Sequence, residues 1–102
     1  MSVGRVSFTR DARHWYLREI AYLADMNPAA ARNLDRRMSA IREKLSAFPG
    51  IAQPGPLPGT RRFVLPPYIL TLAEVRGHLV ITAIRHARQS DEPSLDEGTT
   101  GS

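Results

Sequence analysis

The sequence predicts an α+β fold: a helical hairpin packed on one face of a small, mainly antiparallel sheet, in two layers ordered β-α-α-β-β-β. Three observations predict it. Two stretches in the first half carry apolar residues at helical spacing, a proline- and glycine-rich connector follows, and three β-rich runs come after it.

Taken in order, "VGRVSF" (3–8) alternates roughly between apolar and small or polar residues and reads as a short strand. Thr9 suits an N-cap for a helix over 10–26, whose Ala12, Tyr16, Ile20, Leu23 and Ala24 fall on one face. Asn27-Pro28 punctuates the chain, since asparagine caps and proline is welcome at the first position of a new helix. In that second helix Ala31, Leu34, Met38, Ile41, Leu45 and Phe48 alternate steps of three and four, a continuous apolar seam ended by Pro49-Gly50. Helices joined so tightly pack antiparallel. The connector "PGIAQPGPLPG" (49–59) holds four prolines and three glycines and is expected to form no regular element. Then come "RRFVL" (61–65), "YILTLAEV" (68–75) and "HLVITAI" (78–84). Pro66-Pro67 separates the first two, and Arg76-Gly77 reads as a tight hairpin turn between the others. The last strand, rich in Val, Ile and Leu, is expected at or near the sheet's centre.

A chain of 102 residues suits one domain, placed at residues 1–89, with an acidic tail expected to be disordered over 90–102. There is no cysteine, which excludes disulfides and thiolate chemistry. No stretch approaches the roughly 18 apolar residues of a membrane span, so a cytoplasmic protein is expected, with no membrane contact. Three scattered histidines without cysteine do not argue for a metal, and no cofactor is expected. The net charge is +4, yet four of the ten acids (Asp91, Glu92, Asp96, Glu97) lie in the tail, so residues 1–90 set 14 bases against six acids, a balance of +8. Thirteen of those bases are arginine, the side chain suited to phosphates, carboxylates and desolvated interfaces. The partner is therefore acidic, a nucleic acid or an acidic protein; the plainer reading is a solubilising surface.

The most function-like stretch is "LVITAIRHARQ" (79–89), in which a good strand delivers Arg85, His86 and Arg88 to the sheet's rim. Arg61 and Arg62, successive on a strand, point to opposite faces, one joining that cluster and the other binding a helix end or a carboxylate. Tyr68 is either a core aromatic reaching the rim or part of the surface, and Trp15 is either core or an exposed anchor for a partner. His86 is read as a structural hydrogen-bonder before a general base, while His14 and His78 are read as surface residues.

Four segments in order, "LREIAYLA", "NPAAARNLDRRMSAIREKLSAFPG", "PGTRRFVLPPYILTLAEV" and "LVITAIRHARQ", resemble the RelE/ParE superfamily of bacterial type II toxins, and its ParE branch more closely, over about residues 5–88. The resemblance implies a small basic toxin silenced by a cognate ParD-like antitoxin in a hetero-oligomer, with DNA gyrase as the target bound. Arg61, Arg62, Tyr68, Arg85, His86, Arg88 and Trp15 are read as the candidate residues meeting target or antitoxin. The alternative is a RelE-type ribosome-dependent mRNA endonuclease, which needs a base for the 2′-OH proton, cations for the phosphorane and an acid for the leaving oxygen. His86, Arg85 and Arg61 would have to supply these, with direct nucleic-acid binding left open. The chain departs from that branch: Ile69 stands where arginine is common, no tyrosine follows Arg88, and the sheet carries no lysine. The binding toxin is the expectation.

Overall fold

The computed structural model describes residues 4–88. β1 (Ser7–Phe8) leads into α1 (Arg10–Met26) and α2 (Pro28–Ala47); a short 3-10 turn (Pro49–Ile51) and β2 (Gln53–Pro54) follow. Then come β3 (Thr60–Leu65), β4 (Tyr68–Val75) and β5 (His78–His86). The five strands lie in the order β1-β5-β4-β3-β2, and every neighbouring pair is antiparallel except β1, which runs parallel to β5. The two helices cover one face, giving the α+β architecture that the apolar spacing predicts.

Local chemistry sets the ends of the elements. Thr9 Oγ1 accepts from the Ala12 amide at 3.3 Å and Asn27 Oδ1 from the Ala30 amide at 3.1 Å, so each helix begins on a side-chain cap. Arg76 and Gly77 have φ of 54° and 80°, the paired left-handed residues of a type I′ turn, whose twist matches that of the strands it joins. Leu34, Met38, Ile41 and Leu45 of α2 meet Ala12 and Tyr16 of α1 and Leu70, Leu72, Ile81 and Ile84 of the sheet in one buried cluster.

Three expectations change. Phe48 does not extend the α2 seam: the helix stops at Ala47, the Phe48 backbone turns to φ −136°, and its side chain is 64% exposed. The connector is not wholly irregular, because Gln53 and Pro54 pair with Arg62 and Arg61 and add an edge strand. Proline is tolerated there because an edge strand needs no outward N–H. The first strand is shorter than "VGRVSF", since only Ser7 and Phe8 pair with β5; Val6 is held to α2, its amide donating to the Arg42 carbonyl at 3.0 Å while Arg42 Nε donates to the Val6 carbonyl at 2.7 Å. The acidic tail lies outside the described residues.

The feature that positions the candidate site is a bulge in β5. Leu72 pairs with Ile81 and Thr71 with Ala83, which leaves Thr82 as an extra residue. Leu79 and Ile81 face the helices, and unbroken alternation would send Ala83 and Arg85 after them. The inserted Thr82 reverses the phase, so that Ile84 and His86 turn inward and Arg85 outward. Thr82 Oγ1 donates to the Thr71 carbonyl at 3.2 Å, and the Thr9 amide donates to the Ile81 carbonyl at 2.9 Å. Thr9 thus caps α1 and clamps the bulge at once.

Candidate functional site

The bulge divides the sequence-marked residues between two sites. On the face of the sheet away from the helices, Arg62 pairs across to Thr71 and Val64 to Ile69, with Arg85 beyond Ile69. Arg62 and Arg85 border, with Thr71, Pro54, Gly55, Pro56 and, at its margin, Arg61, a cavity of about 550 Å³. Among the described residues the Arg62 guanidinium makes only a long 3.5 Å contact to Gln53 Oε1. Among the described residues the Arg85 guanidinium has no hydrogen-bond or carboxylate partner, although its side chain is half-buried. Two guanidiniums held by a rigid sheet, with no carboxylate partner of their own among the described residues, suit a carboxylate or a phosphate.

Arg61 behaves differently. It pairs with Leu72 and so belongs to the helix-facing side, at the margin, where Nε donates to Glu74 Oε2 at 2.7 Å and Nη1 to the Ala52 carbonyl at 2.9 Å. The split between Arg61 and Arg62 is the one expected of successive strand residues, and Arg61 is the member that takes a carboxylate.

The second site lies on the helix side of the rim. His86 sits across from Tyr68, and both approach α1. The Tyr68 hydroxyl donates to Glu19 Oε2 at 2.6 Å, and His86 Nε2 lies 3.6 Å from the same oxygen. The Trp15 ring meets Tyr68 edge-on at 6.0 Å between centroids and His86 at 5.6 Å, while Tyr68 and His86 are 5.1 Å apart. Trp15 is half-buried and packed against the core, and Tyr68 is 4% exposed. Burial, reinforced by the hydrogen bond to Glu19 and by that carboxylate's charge, holds the Tyr68 phenol well above its ordinary pKa. At neutral pH it is a donor, not a base. Beyond His86, the exposed Arg88 joins Pro67, His86 and Ala87 around an open cavity of about 670 Å³. Arg37 steadies the same corner, its Nη2 donating to the Pro66 carbonyl at 2.6 Å.

Sequence reasoning did not single out Glu19 or Arg37. Glu19 had one usable signal: it stands four residues after Trp15, on the same side of α1, and so travels with the aromatic towards the sheet. Arg37 had none, because its acceptor is a backbone carbonyl 29 residues away.

In chemical terms, the outer face can bind an anion, and the rim holds a tyrosine–glutamate–histidine contact under a tryptophan. His86, next to Arg85 in the chain, lies on the opposite side of the sheet from it. Among the described residues no group of His, Asp and Glu side chains assembles as a metal site, and no helix is long and apolar enough to cross a membrane.

No curated protein matches the chain. A family model described as the ParE toxin of the type II toxin–antitoxin system parDE matches residues 6–91, from the residue before β1 to beyond Arg88. That match spans most of the sequence and every element of the fold, and the chain therefore belongs to the ParE toxin family.

Proposed function

We propose that the chain is a toxin acting by protein–protein contact, with DNA gyrase as its target and a ParD-like antitoxin as its inhibitor in the cytoplasm. The observation that carries this reading is the separation of Arg85 from His86. The outer face offers the Arg62 and Arg85 guanidiniums without a proton-transfer group beside them, while His86 is directed towards Glu19, Tyr68 and Trp15. Phosphodiester cleavage needs cations and an acid–base pair converging on one phosphate. A guanidinium pair alone suits recognition of carboxylates on a partner surface. An acidic segment of the antitoxin laid over Arg62 and Arg85 would form charge-assisted bonds and mask the face in the same step.

The test is to express the chain with and without its genomic neighbour, then measure gyrase supercoiling and ribosome-bound mRNA cleavage in parallel. Inhibited supercoiling with intact message, relieved by the neighbour's product, is expected. Cut message with normal supercoiling would replace this reading with a RelE-type endonuclease.

A further inference from the structure

A second basic surface lies on the other layer of the molecule. Along the exposed side of α1, Arg10, Arg13, His14, Leu17, Arg18 and Ala21 follow the 3-4 spacing of one helical stripe and border a shallow cavity of about 400 Å³. At 1.5 Å per residue the stripe runs about 16 Å. Leu17 also lines the neighbouring groove between the helices, where Arg32 and Arg36 stand. All five arginines are exposed. Among the described residues none of these guanidiniums has a carboxylate partner; Arg36 has only the amide oxygen of Asn33, at 3.3 Å. Asp35, the acid in that groove, is occupied by the Tyr16 hydroxyl at 2.7 Å.

Like charges gathered without paired carboxylates oppose folding. Arg42 has a pKa below its ordinary value, first because it is partly buried, with repulsion from Arg5 and, from this stripe, Arg13 as lesser causes. A protein-binding surface is built around apolar or aromatic anchors in pockets. The α1 stripe has one large apolar side chain, Leu17, 52% exposed and surrounded by cations. A row of cations with little apolar centre matches a phosphate backbone, which demands charge and spacing and little else.

We propose that the exposed face of α1, extended by Arg32 and Arg36, docks the phosphate backbone of duplex DNA without reading its sequence. This surface lies on the helical layer and owes nothing to the arginine pair on the outer face of the sheet, so its success or failure is separate from gyrase inhibition.

Fluorescence anisotropy with the full chain and a labelled 20-base-pair duplex of mixed sequence, at 50–200 mM KCl, tests it. With about five phosphate contacts, log K against log salt should fall with a slope of about −4 to −5. Arg10→Gln/Arg13→Gln/Arg18→Gln should weaken binding at least about tenfold at 50 mM KCl and flatten the slope by about 3. Should that variant melt early, Arg13→Gln and Arg18→Gln singly carry the same test, each flattening the slope by about 1. Arg76→Asn removes an equal charge at the distant β4–β5 turn, in a residue type that tolerates the left-handed backbone there, and should change little. No binding at 50 mM, equal losses from Arg76→Asn and Arg13→Gln, or tighter capture of poly-glutamate than of duplex would each overturn the proposal. The last result would make this an acidic-protein surface.

Discussion

Arg85 and His86 are neighbours in the chain and belong to different regions of the molecule. The outer face holds Arg62 and Arg85 with no carboxylate in reach among the described residues, whereas the inner rim ties Tyr68, His86 and Glu19 together under Trp15. One region has its polar groups satisfied from within the fold; the other leaves its guanidiniums without a carboxylate among the described residues. The difference shows that charge alone does not mark a binding surface. Arg61 is as cationic as Arg62, yet Glu74 and the Ala52 carbonyl already occupy it.

The most disruptive way to break this division is to exchange Ile84 and Arg85. Unbroken alternation from Ile81 would turn position 85 inward and welcome the exchange, whereas the bulge turns position 84 inward, where Ile84 is 5% exposed, and would bury the new arginine. The loss of Ile84 burial alone is expected to cost about 2–5 kcal/mol, read as a lower urea midpoint. An Ile84→Arg/Arg85→Ile variant of unchanged stability would mean that the bulge does not set the phase.

Replacing both outer arginines should separate function from folding. Arg62→Ala/Arg85→Ala is expected to abolish growth inhibition on induction, each truncation costing about 2 kcal/mol of target binding if it is a hot spot, or about 30-fold. The thermal midpoint should stay within a few degrees, because neither guanidinium has an ion pair among the described residues. Retained toxicity would move the active surface to the rim or to the helices.

The inner side is tested by alkali. Tyr16, hydrogen-bonded to Asp35, and Tyr68, hydrogen-bonded to Glu19, both have phenols raised above the ordinary value near 10, with desolvation the leading cause in each. A raised folded-state pKa contributes stability below the unfolded value and loses it as pH climbs towards the folded one. Urea midpoints should therefore fall between pH 10 and 12, and Tyr16→Phe/Tyr68→Phe should flatten that decline. An equally steep fall in the double variant would place the alkaline sensitivity elsewhere.

The smallest effect is expected at Arg61. Glu74→Gln removes the charge from a partly exposed pair and should change stability by about 0–1 kcal/mol, with toxicity intact. A large gain in target affinity from this variant would show that Glu74 had been masking a functional Arg61.

Much of the scaffold was legible because its signals are local. Thr9 and Asn27 cap the helices they precede, Arg76-Gly77 makes the turn it spells, and the α2 seam is buried from Ala31 to Leu45. Phe48 misled because periodicity carries no information about where the helix stops. The candidate site was legible as a list and not as an arrangement. Its residue types stood out, but Glu19 meets Tyr68 across 49 positions, and a side chain's face depends on everything between it and the last register mark.

By itself, then, the sequence determined the helices, the hairpin turn, the α+β class and the excess of arginine, since each follows from neighbouring residues or from composition. The tertiary structure decided that Gln53 and Pro54 become an edge strand, that Arg61 is neutralised while Arg62 is not, and that Arg85 and His86 part company. The reason is cross-strand register. A single unpaired threonine, held by Thr71 and by the chain entering α1, exchanges the two faces of β5, and no count along one strand reveals where its partner will let a residue slip.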